Sequence, residues 1–123
     1  MTIYLAGPMT SYPDLNRPAF QAAYERLRAA GLDVCNPHGI APHAHDGDCP
    51  RSYAVTNGHG AACYLRTCLA ALLTCDEIYL LPGWETSVGA RLEFQVAASV
   101  GMRITLADHA EGLRWRPRSP ALT

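Results

Sequence analysis

Short runs of β-forming residues alternate along this chain with segments in which apolar residues recur at helical spacing. The runs cover residues 2–6, 32–35, 76–81 and 102–107, and the helical patterns cover 16–30, 61–74 and 87–100. Strands alternating with helices form right-handed crossovers that place helices on both faces of a parallel sheet. The sequence therefore predicts an α/β three-layer sandwich with a mostly parallel sheet of four to five strands.

Local signals predict where the helices begin and end. Asn16 is a favourable N-cap for the first helix, and Pro18 suits its first turn. Gly31 and Gly101 stand directly after the first and last helical patterns, where a C-terminal glycine adopts the left-handed conformation.

The chain of 123 residues is long enough for one domain, which we place at residues 1–107. Within it, residues 37–60 are rich in Pro, Gly, His and Asp and follow no period, so we expect a long loop that serves as a lid or an insertion. Residues 108–123 are predicted to form an irregular C-terminal tail.

Charge and hydropathy exclude several classes of protein. The net charge of −1 gives no basic field for a nucleic-acid polymer, whereas a single nucleotide needs only a local cluster of donors. No apolar run is as long as a membrane span, and the N-terminus has no signal-peptide pattern. We therefore expect a cytoplasmic protein that does not bind a membrane.

The cysteines and histidines do not predict a metal or disulfide site. The five cysteines are odd in number and lack C-x-x-C spacing, which argues against a disulfide framework and a zinc ribbon. His43, His45 and Cys49 are metal-ligating types at close spacing, but nothing completes a tetrahedral set. No metal or organic cofactor is predicted.

The segment 80–93 holds the main candidates for chemistry. Ser87 stands at a helix start, where free backbone N–H groups and the helix dipole favour an anion such as phosphate. Helical side chains lean toward the N-terminus, so the Glu93 carboxylate should lie over Gly89 and Ala90, whose small size leaves room for a sugar ring. The alternative interpretation is a capped helix with an ordinary exposed glutamate.

Loops at the carboxyl ends of parallel strands form the ligand site of such sheets, near the point where strand order switches. These are the loops 7–15, 36–60 and 82–86. We expect Tyr4 to end the first strand there and to orient a carboxylate through its phenol. Gly7 begins the first loop, and Trp84 in the last one either stacks on a base or packs on the core.

Several of these segments resemble the nucleoside 2-deoxyribosyltransferase-like superfamily, especially its short phage and bacterial members and the 2′-deoxynucleoside 5′-monophosphate N-hydrolases. The matching pieces are T-I-Y-L-A-G-P at residues 2–8, Pro18-Ala-Phe, Asn36-Pro37, and the run from 64 to 101 with C-D-x-I-x-L-L-P-G-W-E-x-S-x-G-A-x-x-E. The resemblance implies a flavodoxin-like or Rossmann-like sheet and a double-displacement mechanism.

The resemblance also implies roles for individual residues. Glu93 matches the nucleophile that forms a covalent deoxyribosyl ester, and Tyr4 matches the tyrosine that positions it. Ser87 matches the serine that holds the 5′-phosphate, where transferases of free nucleosides carry an acidic residue. The implied activity is hydrolysis of the N-glycosidic bond of a 2′-deoxynucleoside 5′-monophosphate, in a homodimer or larger homo-oligomer. The candidate site residues are Glu93 and Tyr4 for catalysis, and Gly7, Ser87, Gly89, Trp84 and Cys68 for substrate binding.

One position departs from the family pattern. The family has R-x-D-L in the helix before the third strand, where the aspartate handles the base, and this chain reads Arg66-Thr-Cys68-Leu. A thiol cannot replace a carboxylate. Two alternatives therefore stay open, a base-exchanging deoxyribosyltransferase and a nucleotide-binding or sensing module of weak activity; a purely structural domain is a third. Candidate substitutes for the aspartate are His59, Asp46, Asp48 and Asp76, and candidate phosphate partners are Arg17, Arg51 and Arg91.

Overall fold

The computed structural model describes the chain over residues 1–40, 55–56, 59–107 and 114–115, and it describes side chains over 1–40 and 64–107. The strands are β1 (Thr2–Ala6), β2 (Asp33–Cys35), β3 (Val55–Thr56), β4 (His59–Gly60), β5 (Glu77–Leu80), β6 (Arg103–Leu106) and β7 (Arg114–Trp115). The helices are α1 (Arg17–Ala29), α2 (Ala61–Leu72) and α3 (Val88–Ser99). Each predicted strand and helix of the domain is present, with ends that differ by at most two residues.

The main sheet has the order β2-β1-β5-β6-β7. The first four strands are parallel, and β7 joins the edge of β6 in the antiparallel direction. β3 and β4 pair with each other as a separate antiparallel ribbon. From β1 the chain adds β2 on one side, and it then returns to add β5 and β6 on the other side of β1. The strand order therefore switches between β1 and β5.

Helices cover both faces of the sheet. Ile3 and Leu5 of β1 pack with Phe20 of α1 on one face, whereas Tyr4 and Ala6 face α2 and α3 on the other. The alternation follows from the period of two in a strand, and β1 and β5 are buried on both sides, as expected for covered parallel strands. β5 begins with the buried Glu77, which accepts a hydrogen bond of 2.6 Å from the Thr105 hydroxyl. The predicted α/β three-layer sandwich with a mostly parallel sheet is confirmed.

The helix ends agree with the sequence at their C-termini and differ at one N-terminus. Gly31 and Gly101 have φ values of 86° and 76°, the left-handed conformation expected after a helix. Asn16 occupies the N-cap position of α1 as predicted, but its backbone is left-handed, with φ 60°, and its side chain makes no capping hydrogen bond. A 3-10 turn over Pro13–Asn16 precedes the helix and imposes that conformation.

Two further segments bear on the predicted loop and tail. The prediction of an irregular tail was wrong for Arg114 and Trp115, which pair with the edge of β6 as β7; the rest of 108–123 lies outside the described residues. Residues 37–60 contain a 3-10 turn at Pro37–Gly39 as well as β3 and β4. Among the helices of the described residues, none has the length and apolar character needed to cross a membrane.

Candidate active site

Tyr4 lies at the centre of β1, between the two strands that pair with it. Its register partners are Cys35 on β2 and Ile78 on β5. The expectation that Tyr4 ends the strand was wrong, since β1 continues to Ala6. The side chain is fully buried on the α2–α3 face of the sheet, so its phenol reaches out from the strand beneath the helices.

Glu93 lies in the second turn of α3 and meets this phenol. The Tyr4 hydroxyl donates a hydrogen bond of 2.6 Å to Glu93 Oε2, across 89 positions of sequence. Glu93 is only 7% exposed, so the alternative interpretation of an ordinary exposed glutamate does not hold. The first strand and the last helix thus join at one buried pair of polar groups.

Burial sets the charge state of the pair. Removal from water raises the pKa of Glu93 from 4.5 to about 7, although the hydrogen bond from Tyr4 partly opposes the rise. Burial raises the pKa of Tyr4 well above its ordinary value, and the charge of Glu93 raises it further. Near neutral pH the phenol therefore stays a proton donor, while Glu93 is divided between its neutral and ionised forms.

Cys68 of α2 lies beside this pair. Its side chain is 8% exposed and belongs to the same core cluster as Tyr4. Burial raises the pKa of the Cys68 thiol; interaction with the Tyr4 hydroxyl lowers it, and the nearby charge of Glu93 raises it. The position at which the resemblance implies an aspartate is thus adjacent to the Tyr4–Glu93 pair and carries a protonated thiol.

The N-cap of α3 lies six residues before Glu93 in the sequence. Ser87 is the N-cap, and its Oγ accepts a hydrogen bond of 3.1 Å from the backbone N–H of Ala90. Because the cap uses the oxygen as an acceptor, the hydroxyl hydrogen stays available for a ligand. Six residues correspond to about 9 Å along a helix axis, and the backward lean of the Glu93 side chain shortens that separation.

Gly89 lies between Ser87 and Glu93 and is not held in place by tight packing. A Cβ on Gly89 would be 3.7 Å from Leu65 Cδ1, which is ordinary contact. The helix could therefore carry an alanine there without a clash. Leu65 of α2 therefore faces residue 89 at contact distance, and the open space that the sequence argument expects for a sugar ring stays a prediction.

Gly7 and Gly83 hold the ends of β1 and β5 close together. A Cβ on Gly7 would approach Leu81 Cβ to 2.9 Å, so no larger residue fits. Gly83 has φ 87°, and its Cβ would come within 2.7 Å of the Tyr12 hydroxyl. Tyr12 therefore crosses from the loop after β1 to the loop after β5. The sequence argument missed this residue, although an aromatic residue in a loop at the carboxyl edge was a usable signal.

Trp84 packs against α3. Its ring lies 5.0 Å from that of Phe94, at an interplanar angle of 41°. Of the two interpretations of Trp84, this contact favours the one in which the ring packs on the core. The contact fixes the loop between β5 and α3, which also holds Ser87 in position.

Other candidate residues lie apart from the pair or outside the described residues. Asp76 accepts a hydrogen bond of 2.9 Å from the Thr2 backbone N–H at the opposite, amino edge of the sheet. Arg17 pairs with Asp14 at 3.5 Å on the surface, and Arg91 is exposed. Among the described side chains no cluster suits a metal ion. The remaining candidates have side chains that lie outside the described residues: His43, His45, Asp46, Asp48, Cys49, Arg51 and His59.

Comparison with known proteins gives one family. A family model described as a domain of unknown function, DUF4406, matches residues 1–106, which include the Tyr4–Glu93 pair, Cys68 and Ser87. The chain has no significant match among curated proteins or solved structures. Since the match spans the four parallel strands and α1, α2 and α3, the chain belongs to the DUF4406 family.

Proposed function

We propose that this protein hydrolyses the N-glycosidic bond of a 2′-deoxynucleoside 5′-monophosphate, with Glu93 as the nucleophile. The observation that carries the proposal is the hydrogen bond between the Tyr4 hydroxyl and Glu93 Oε2 at the switch in strand order. Ligands of open parallel sheets bind at such a switch, outside the carboxyl ends of the strands.

The charge state of Glu93 supports a catalytic role. A buried carboxylate with a pKa of about 7 disfavours folding when it ionises, and such groups are found most often at functional sites. Tyr4 orients one carboxylate oxygen with a neutral donor and leaves the other for a substrate. A purely structural residue at position 93 would gain more stability from an apolar side chain.

The start of α3 supports a phosphorylated substrate. The backbone N–H groups of the first turn and the dipole of this 12-residue helix favour an anion, and the Ser87 hydroxyl can donate to it. A 5′-phosphate at Ser87 directs the sugar of the same molecule along Gly89 toward Glu93.

The reaction has two displacements. A carboxylate oxygen of Glu93 attacks C1′, and the bond to the base nitrogen breaks with its electron pair remaining on the base. Water then attacks C1′ of the glycosyl ester, which releases deoxyribose 5-phosphate and restores Glu93. Tyr4 keeps the carboxylate oriented by its hydrogen bond in the free protein.

The test is incubation with a panel of deoxynucleoside monophosphates, with release of free base followed by chromatography. We expect release by the native protein and a loss of at least about 1,000-fold in Glu93→Gln, as for removal of a nucleophile. Glu85→Gln is the matched control, because Glu85 is exposed in the preceding turn. Native activity that survives in Glu93→Gln would contradict the proposal.

The same assay separates the alternative functions. Deoxyribose 5-phosphate as the product supports hydrolysis, whereas a new nucleotide formed with an added acceptor base indicates transfer. Nucleotide binding measured by calorimetry, without base release over hours, indicates a sensing module instead of an enzyme.

A further inference from the structure

The helices α2 and α3 lie side by side over the Tyr4 side chain. A Cβ on Gly89 of α3 would lie 3.7 Å from Leu65 Cδ1 of α2. Each helix leads from one parallel strand to the next, so the two helices run in the same direction. Cys68 follows Leu65 by three residues and Glu93 follows Gly89 by four, spacings that keep each pair on one helix face. Cys68 and Glu93 are therefore neighbours across the contact between the helices.

Tyr4 lies below this contact and interacts with both residues. Its hydroxyl donates to Glu93 Oε2 at 2.6 Å, and its oxygen forms a side-chain hydrogen bond with the Cys68 thiol. All three side chains are at most 8% exposed. The phenol has a single proton, which takes part in the bond to Glu93. The hydrogen between Cys68 and Tyr4 is therefore that of the thiol, and the phenol oxygen is its acceptor.

Building on the proposed function, we infer that Cys68 is a positioning residue that acts through Tyr4: its thiol donates to the phenol oxygen, and the phenol donates its single proton to Glu93. A hydrogen bond accepted by the phenol oxygen polarises the O–H group and strengthens the bond that this group donates. The two bonds in series fix the place and direction of one Glu93 oxygen. The nucleophile is thus positioned from α2 as well as from β1.

A carboxylate at residue 68 would act in the opposite way. An ionised aspartate only accepts hydrogen bonds, so it would compete with Glu93 for the phenol proton, and its charge would disfavour ionisation of Glu93. Burial raises the pKa of the Cys68 thiol and keeps it neutral. It also raises the pKa of the Cys35 and Cys75 thiols, which interact with each other in the same cluster. These neutral thiols leave the phenol proton to Glu93.

The first test follows the ¹³C resonance of the Glu93 carboxyl carbon, assigned by its loss in Glu93→Gln, during a pH titration without substrate. In Cys68→Asp the two carboxyl groups titrate in coupled steps, and we expect the upper step at least about one pH unit above the native value. Cys68→Ser, whose hydroxyl also donates to the phenol, should titrate as the native protein does. In a Tyr4→Phe background the aspartate should raise the upper step less, because no phenol proton is left to compete for. Equal rises in the two backgrounds would overturn the inference.

A second test uses the native protein and does not require Cys68→Asp to fold. The S–H stretching band of Cys68, identified by its loss in Cys68→Ser, lies in an infrared region without other protein bands. A thiol that donates a hydrogen bond absorbs at a lower frequency than a free thiol. The band should therefore move to higher frequency in Tyr4→Phe, and a band that stays in place would contradict the donation from Cys68 to Tyr4.

Kinetics connect these hydrogen bonds to the proposed reaction. A rise of about one unit from a pKa of about 7 lowers the ionised fraction of Glu93 at pH 7 about fivefold. We expect kcat for base release by Cys68→Asp to fall by this factor at pH 7 and to recover by pH 9, with KM little changed. A change confined to KM would show that residue 68 binds substrate instead of positioning Tyr4. Absence of base release by the native protein would overturn the proposed function, whereas the two spectroscopic tests need no substrate and report the hydrogen bonds alone.

Discussion

Glu93 makes the stability of the protein depend on pH. Its pKa is raised in the folded state, so native Glu93 holds its proton more tightly than the unfolded chain does. The stabilisation is complete below pH 4.5 and is lost as pH rises through about 7. A shift from 4.5 to about 7 corresponds to a loss of about 3 kcal/mol in the free energy of unfolding.

Glu93→Gln should therefore stabilise the protein at alkaline pH. The amide is neutral at every pH and can still accept the hydrogen bond from Tyr4. We expect a higher Tm than that of the native protein at pH 8 and a nearly equal Tm at pH 4.5, measured by calorimetry. A Tm difference that does not change with pH would show that Glu93 keeps an ordinary pKa.

Tyr4→Phe should move the pH dependence of activity upward. The hydrogen bond from Tyr4 lowers the pKa of Glu93, so its removal raises that pKa and reduces the ionised fraction at pH 7. We expect kcat at pH 7 to fall about tenfold or more, with part of it regained at pH 9. Tyr64→Phe, at an exposed position on α2, is the control and should leave the profile unchanged.

The Ser87 hydroxyl at the start of α3 caps the helix and is also the group that we propose binds the 5′-phosphate. Ser87→Ala removes the N-cap and should cost about 1 kcal/mol of stability. Ser87→Asp keeps a capping oxygen but places a negative charge where the phosphate is proposed to bind. We expect Ser87→Asp to retain the native Tm and to raise KM for monophosphates at least about tenfold, with no such rise for free deoxynucleosides.

These two variants separate capping from binding. Thermal unfolding reports the cap, and steady-state kinetics with the paired substrates reports the phosphate contact. An equal change of KM for nucleotides and nucleosides in Ser87→Asp would show that residue 87 does not contact the phosphate.

Local sequence patterns predicted the strands and helices better than they predicted the contacts of the candidate site. Strand and helix periods predicted the sandwich, and Gly31 and Gly101 marked two helix ends, because each signal lies within a few residues of its effect. Asn16 stands at the predicted N-cap position without a side-chain hydrogen bond, because its backbone is left-handed after the preceding turn. The packing of Trp84 on Phe94 and the reach of Tyr12 to Gly83 depend on contacts between segments, which no local pattern encodes.

The sequence allowed only part of the Tyr4–Glu93 contact to be predicted. Helix geometry indicated which way the Glu93 side chain leans, and the resemblance paired it with Tyr4. The burial of both groups, which sets the pKa of Glu93 near 7, depends on α2 and α3 packing on the same face of β1. Homodimer formation and a cytoplasmic location stay predictions, and sedimentation analysis tests the first.

At the scale of the whole molecule, the fold predicts which edge of the sheet binds ligand. Titration of deoxyribose 5-phosphate into ¹⁵N-labelled Glu93→Gln should shift the amide resonances of residues 7–12 and 83–90, at the carboxyl ends of β1 and β5. The amides of Thr2, Asp76 and Arg103, at the amino edge, should not move. Shifts centred on the amino edge would place the site elsewhere.

The contact between Tyr12 and Gly83 ties together two loops that lie about 70 positions apart in the chain. Any side chain at residue 83 would displace the phenol, and a longer or shorter first loop would withdraw it. Neither loop can thus be redesigned alone. An attempt to transplant a different substrate preference into this protein has to exchange both segments at once, as a matched pair.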